Sequence, residues 1–112
     1  MSKWGNLVEQ VRRDRIKIAV AAWSYERGYR HTMTDTEYDE LSQRVHSQRN
    51  TATGNHRLDR FFQRHFDPDT GLWIHRHPDL ASVERIYAQV WIPKLYAHEL
   101  KRAQRRVRRQ RR

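Results

Sequence analysis

Apolar residues recur at helical spacing in several stretches of this 112-residue chain, and polar segments or segments holding Gly or Pro separate them. Over residues 6–28, with Tyr29 just beyond, Leu7, Val11, Ile18, Ala22, Tyr25 and Tyr29 fall near one stripe. Arg12, Arg13, Arg15, Lys17 and Arg27 fall mostly off it, which predicts one long helix stopped by Gly28. Residues 35–47 form the second predicted helix, with Tyr38, Leu41 and Val45 as its buried face. The polar run 47–55 closes the hairpin as a loop. A third, short helix over 56–65 offers Leu58, Phe61 and Phe62 to a core, followed by Phe66. Asp67-Pro68-Asp69-Thr70-Gly71 has the composition of a turn. Leu72-Trp73-Ile74 is too short to classify and is compatible with an extended piece. His77-Pro78-Asp79 breaks the chain before a fourth helix with Val83, Ile86, Tyr87, Val90 and Trp91 on its apolar face. Pro93 is expected to kink or interrupt that helix. Residues 94–112 can then continue as helix, with Leu95, Tyr96 and Leu100 packed. No internal repeat is visible.

The expected fold is therefore mostly α. A small helical domain spans 1–100, with a hairpin over 6–47 and a second helical part over 56–100, and an arginine-rich C-terminal helix or tail covers 101–112. Only 37% of residues are apolar and 32% are charged, yet there are four Trp, five Tyr and three Phe. The core should thus be small and built around a few aromatic side chains, Trp4, Trp23, Trp73 and Trp91 among them. There is no Cys, hence no disulfide framework and no Cys-based zinc site, which favours a reducing compartment. No apolar run approaches the roughly 18 residues of a membrane span, and Met1-Ser2-Lys3-Trp4-Gly5 lacks the apolar core of a signal peptide. A cytoplasmic protein with no membrane partner is expected.

Thr34 and Glu37 stand in the spacing of a capping box, so Thr34 should cap the second helix. The cap accounts for those two residues and the core for Leu41 and Val45. Asp35 and Asp39, four apart on one helical face beside Tyr38, are left over. Such a set can hold a polar, cationic or ribosyl-bearing group. The plainer reading makes Tyr38 a core residue, Asp35 a partner of the helix dipole and Asp39 a solvated charge.

The run from Tyr25-Glu26 through Asp35-Thr36-Glu37-Tyr38-Asp39-Glu40-Leu41 resembles the helical hairpin that opens NAD-dependent DNA ligases, the Ia domain. The family pattern is a Tyr late in the first helix, a loop, then Asp-x-x-Tyr-Asp-x-Leu, and the likeness covers about residues 7–47. That domain clamps the nicotinamide mononucleotide (NMN) half of NAD. The resemblance therefore implies a nucleotide-binding role for Tyr25, Asp35, Tyr38 and Asp39, with NMN or NAD as ligand. Glu26 stands where the family usually has His, and the loop carries no Pro. No Lys-x-Asp-Gly tetrapeptide is present, so a binding module without the adenylation chemistry is expected, not a ligase.

The formal charge of +10 is unevenly placed: residues 101–112 hold eight of the 23 basic residues and no acid, whereas residues 1–100 carry 15 basic and 13 acidic residues. That is the pattern of a basic arm for a polyanion. Arg105, Arg106, Arg108, Arg109, Arg111 and Arg112 would contact phosphates, with Lys94, Lys101 and Arg102 extending the strip. The rivals are an arginine-rich helix that folds on RNA, an acidic protein partner and a solvated terminus. His65, Asp67, Asp69, His75 and His77 form the one metal-like cluster, but there is no His-Glu-x-x-His, and no motif assembles a Ser-His-Asp triad. No metal and no catalytic residue is expected. The sequence thus reads as a non-catalytic nucleic-acid-binding accessory protein, of a phage or mobile element. The alternatives are an interaction module docking on a host or phage protein complex, such as a nucleic-acid enzyme, and an NMN/NAD binder.

Overall fold

The first helix, α1 (Lys3–Glu26), runs through the middle of the molecule. The computed structural model describes residues 3–97 together with Lys101 and Ala103, and every element among them is helical or a turn. Residues 18–24 of α1 are all buried, which differs from the single stripe expected from the sequence. Helix α2 (Asp35–Ser47), a tight turn at Leu72–Arg76 and α4 (Leu80–Ile86) all pack on α1, so its second half is enclosed. The side chains of Ala19, Ala21, Ala22 and Ser24 are small, which lets the surrounding elements approach closely. Leu7, Tyr25 and Tyr29, placed on the stripe by periodicity, are 38%, 58% and 54% exposed because they lie beyond this packed zone.

Gly28 ends α1 as expected. Its φ of 72° is the left-handed conformation a helix stop requires, and two bonds close the end. The Gly28 N–H donates to the Tyr25 carbonyl (3.1 Å) and the Tyr29 N–H to the Ser24 carbonyl (2.9 Å). Tyr29 then folds back against Trp23, with ring centroids 5.4 Å apart. The capping box opens α2 as read: Thr34 Oγ1 accepts from the Glu37 N–H, and Glu37 Oε1 accepts from the Thr34 N–H, both at 3.2 Å. Leu41 and Val45 are buried on α1.

Helix α3 (His56–Arg64) is capped by Asn55, whose Oδ1 accepts from the Leu58 N–H at 3.2 Å. It inserts Phe61 and Phe62 into an aromatic core completed by Phe66 and Trp73. The segment after Gly71 is not extended. Leu72–Arg76 winds as a 3-10 turn, which buries the consecutive Trp73 and Ile74 together and leaves Leu72 61% exposed. An extended chain would send neighbouring side chains to opposite faces and lose one of them.

Helix α4 starts at the Asp79 cap and passes into a widened π turn, Tyr87–Trp91, before helix resumes over 92–97. Pro93 explains the widening: its ring would press on the carbonyl four residues back, and it has no N–H to donate there. The Ile92 N–H bonds the Tyr87 carbonyl, five residues back. The extra residue rotates the apolar face, so Val90 is 42% exposed, contrary to expectation. Leu95 is half-buried, whereas Tyr96 is exposed rather than packed. Trp23 and Trp73 are buried and Trp91 is half-buried; Leu100 and the side chain of Trp4 lie outside the described ones. No described helix is long and apolar enough to cross a membrane.

The buried face of α1 contains an acid and a base, Asp14, to which the sequence assigned no role, and Arg15, which the sequence pattern placed off the stripe. Asp14 and Arg15 are buried at 3% and 4% exposure. Arg44 of α2 reaches Asp14 through two bonds, Nε to Oδ2 at 2.8 Å and Nη2 to Oδ1 at 2.9 Å. Arg15 donates to Asp59 Oδ1 (2.7 Å) and to the carbonyls of Thr51 (3.1 Å) and Gln48 (3.4 Å), and its guanidinium lies over the Phe62 ring. Asp59 in turn accepts from the Thr53 N–H (2.9 Å) and hydroxyl (2.6 Å), and Arg12 Nη2 donates to the Thr53 carbonyl. Loop 48–55 is thereby held to α1 by charge-assisted bonds rather than by apolar burial.

Removing Arg15 strands Asp59 and two carbonyls. Arg15→Met should destabilise by about 3–5 kcal/mol, and Arg44→Met, which leaves the buried Asp14 carboxylate without the guanidinium that meets it, by about 2–4 kcal/mol. Urea unfolding of both variants checks these values. A pH effect follows from His77. Burial lowers its pKa, and its Nδ1 accepts the Asp79 N–H at 3.0 Å, which requires the neutral ring. The unfolded chain takes up the proton first, near the ordinary value of about 6.5. Stability should therefore be full above that pH and fall as pH drops through 6.5 toward the lowered folded value. Thermal melts between pH 7 and 5 should show the fall, and His77→Asn should lessen it.

Candidate functional site: an acidic cleft with an aromatic rim

The end of α1, the start of α2 and the turn 67–71 enclose an open cleft of about 460 Å³. Each wall is set by local structure already described. The glycine stop turns the chain away after Glu26, leaving Tyr25 at the rim. The capping box fixes the first turns of α2, so that Asp35, Tyr38 and Asp39 face the same hollow. The opposite wall is the turn, held by two side-chain bonds: the Asp69 N–H donates to Asp67 Oδ1 at 2.9 Å and the Leu72 N–H to Thr70 Oγ1 at 3.1 Å. Gly71 allows the close approach. A Cβ there would lie 3.3 Å from Glu26 Oε1 and 3.6 Å from the Tyr38 hydroxyl.

All four residues proposed from the sequence for a nucleotide pocket, Tyr25, Asp35, Tyr38 and Asp39, line this one cleft. Tyr38 lines the cleft and also packs against the core. Its ring is half-buried against the core, and its hydroxyl donates to the Thr70 carbonyl at 3.3 Å. Burial raises its pKa, and the negative Glu26 and Asp39 add to the rise, so the phenol stays protonated at neutral pH. Tyr25 is exposed and packs on His31, with ring centroids 4.8 Å apart and tilted by 44°.

Glu26, His31, Asp69 and Thr70 belong to the same cleft and were not among the expected site residues. For Asp69 and Thr70 the signal lay in the Asp-Pro-Asp-Thr-Gly turn, which composition explained without placing it. Four carboxylates, of Glu26, Asp35, Asp39 and Asp69, thus line a space where, among the described residues, the facing bases are imidazoles. His31 is one, and His75 approaches Glu26 from outside at 3.8 Å. The field favours a cation or a hydroxyl-rich group over a phosphate, and the exposed Tyr25 ring offers a face for a cation.

The expected basic strip is described only at its start. Lys94 is exposed with Nζ 5.1 Å from the Trp91 ring centroid, and Lys101 is exposed. Arg102, Arg105, Arg106, Arg108, Arg109, Arg111 and Arg112 lie outside the described residues. Among the described residues no group of three or more His, Asp or Glu side chains is arranged to hold a metal ion. Of the metal-like cluster, Asp67 closes its own turn, His75 faces Glu26 and His77 accepts the Asp79 N–H. A second hollow of about 340 Å³ between α1, α3 and α4 is lined mainly by apolar side chains such as Ile16, Leu58 and Ile86. Compared with known proteins, the chain matches no family model, and no curated protein or solved structure is similar to it.

Proposed function

We propose that this chain is a non-catalytic accessory protein that holds nucleic acid by its phosphates through the basic C-terminus. The observation that carries this reading is the separation of charge, with eight basic residues and no acid in the last twelve positions beside a nearly balanced body. Each arginine or lysine that neutralises a phosphate releases counterions, which gives affinity without sequence preference and a steep dependence on salt. The arginine pairs 105/106, 108/109 and 111/112 would spread charge around most of a helix, which suits backbone contact better than base reading. Lys94 and Lys101, both exposed, extend the same strip.

A second reading concerns the cleft and is favoured by the convergence of Tyr25, Asp35, Tyr38 and Asp39 on one hollow. An NMN or NAD ligand would set its pyridinium against the aromatic rim and its ribose hydroxyls against the carboxylates. The phosphate would then point out of the cleft, away from the acids. This is the arrangement in which the resemblance to ligase domain Ia would bear on function.

Anisotropy titrations with labelled duplex and single-stranded DNA and RNA test the first reading. Deleting residues 101–112 should abolish tight binding and flatten the salt slope by up to about 7 logarithmic units for duplex DNA. Unchanged binding by the truncated chain would refute it. For the cleft, calorimetry with NMN and NAD should give heat that Asp39→Ala removes, and silence at millimolar ligand would end that reading.

A further inference from the structure

Helix α3 holds three arginines and one acid, and the packing treats them differently. Asp59 is turned toward α1 and is fully engaged by Arg15 and Thr53. Burial alone would raise the pKa of this carboxyl, but the bonds from Thr53 and Arg15 outweigh it and hold the pKa below the usual range. The negative charge of the helix is therefore fixed on the inner side. At about 100° per residue, His56, Arg57, Arg60, Gln63 and Arg64 occupy an outer arc of about 120°. All five are exposed.

This face is fixed and single-signed. Phe61 and Phe62 anchor the helix in the core, and Arg57 Nη2 donates to the Pro78 carbonyl at 3.0 Å, which fixes the first guanidinium. Arg60 and Arg64 make no hydrogen bond or ion pair among the described residues. From Arg57 to Arg64 the helix rises about 10.5 Å, a distance over which one strand of a duplex presents about three phosphates. Three cations thus face about three anions.

We infer that the outer face of α3 is a second phosphate-contacting surface for nucleic acid, acting beside the C-terminal arginines. The inference rests on the nucleic-acid reading above and adds a contact surface on the folded body. Nucleic acid fits the face better than an acidic protein does. The arc carries no aliphatic side chain and no Phe, Tyr or Trp to anchor a protein interface, whereas guanidinium groups are suited to paired bonds with phosphate oxygens.

The test is the salt dependence of binding of the full chain to a short labelled DNA duplex, with the variant Arg60→Gln/Arg64→Gln. Both side chains are exposed and unpaired among the described residues, so circular dichroism and the thermal midpoint should match the parent. The variant should lose about 1.8 from the slope of log K against log salt. It should also weaken about twelve-fold less than the parent between about 50 and 200 mM salt. Arg60→Lys/Arg64→Lys should restore the slope. A full chain that binds the duplex while the Gln variant keeps the parental slope would overturn the inference and leave the nucleic-acid reading standing. A full chain that binds neither the duplex nor labelled single-stranded DNA or RNA would overturn both. If it instead binds poly-glutamate, with the same loss in the Gln variant, the face belongs to an acidic protein partner and the inference fails.

Discussion

The fold depends on the burial of an adjacent acid and base, Asp14 and Arg15, on the inner face of α1, just before the stretch 18–24 that is enclosed on all sides. Charges buried there have nowhere to hydrate, so each must be met by a partner. Arg44 answers Asp14, and Asp59 with two backbone carbonyls answers Arg15. These bonds fix how α2 and α3 sit on α1 and where loop 48–55 lies. Apolar packing alone could be satisfied by several rotations of short helices around a central one. The directional, charge-assisted bonds select among them.

That constraint links the two surfaces with functional interest. The seating of α2 on α1 brings Asp35, Tyr38 and Asp39 opposite Tyr25 and Glu26, and the cleft follows. The seating of α3 turns Asp59 inward and leaves its arginines outward, and the basic face follows. The body is close to neutral in sum, yet the structure divides its charge between an acidic hollow and a basic helix face.

Much of this was legible in the sequence because local chemistry dictated it. The capping box at Thr34 and Glu37, the glycine stop at Gly28 and the composition of turn 67–71 are short-range signals, and the structure carries all three. Asp35, Tyr38 and Asp39 were legible from their spacing on α2, and Tyr25 only through the resemblance to the ligase hairpin. The rest depended on tertiary contacts. Arg15 looked like a solvated charge, although the stripe gave a clue: between Val11 and Ile18 it has no apolar residue at the intermediate helical positions, where Asp14 and Arg15 stand. The 3-10 turn at Leu72–Arg76 was illegible because a run of five residues has no period to read. The rotation of Val90 outward came from the widened turn before Pro93, where the sequence announces a break but not its geometry. Asp69 and Thr70 reach the cleft only because Gly71 lets the turn approach Tyr38.

Helix α1 and the polar loop it holds form one cooperative unit. Native-state hydrogen exchange followed residue by residue measures this most directly. Amides in residues 18–24 of α1 and the Thr53 N–H, bonded to Asp59, should exchange only through global unfolding, with a common free energy. Exchange of the Thr53 amide through a separate low-energy opening, while α1 stays protected, would contradict it.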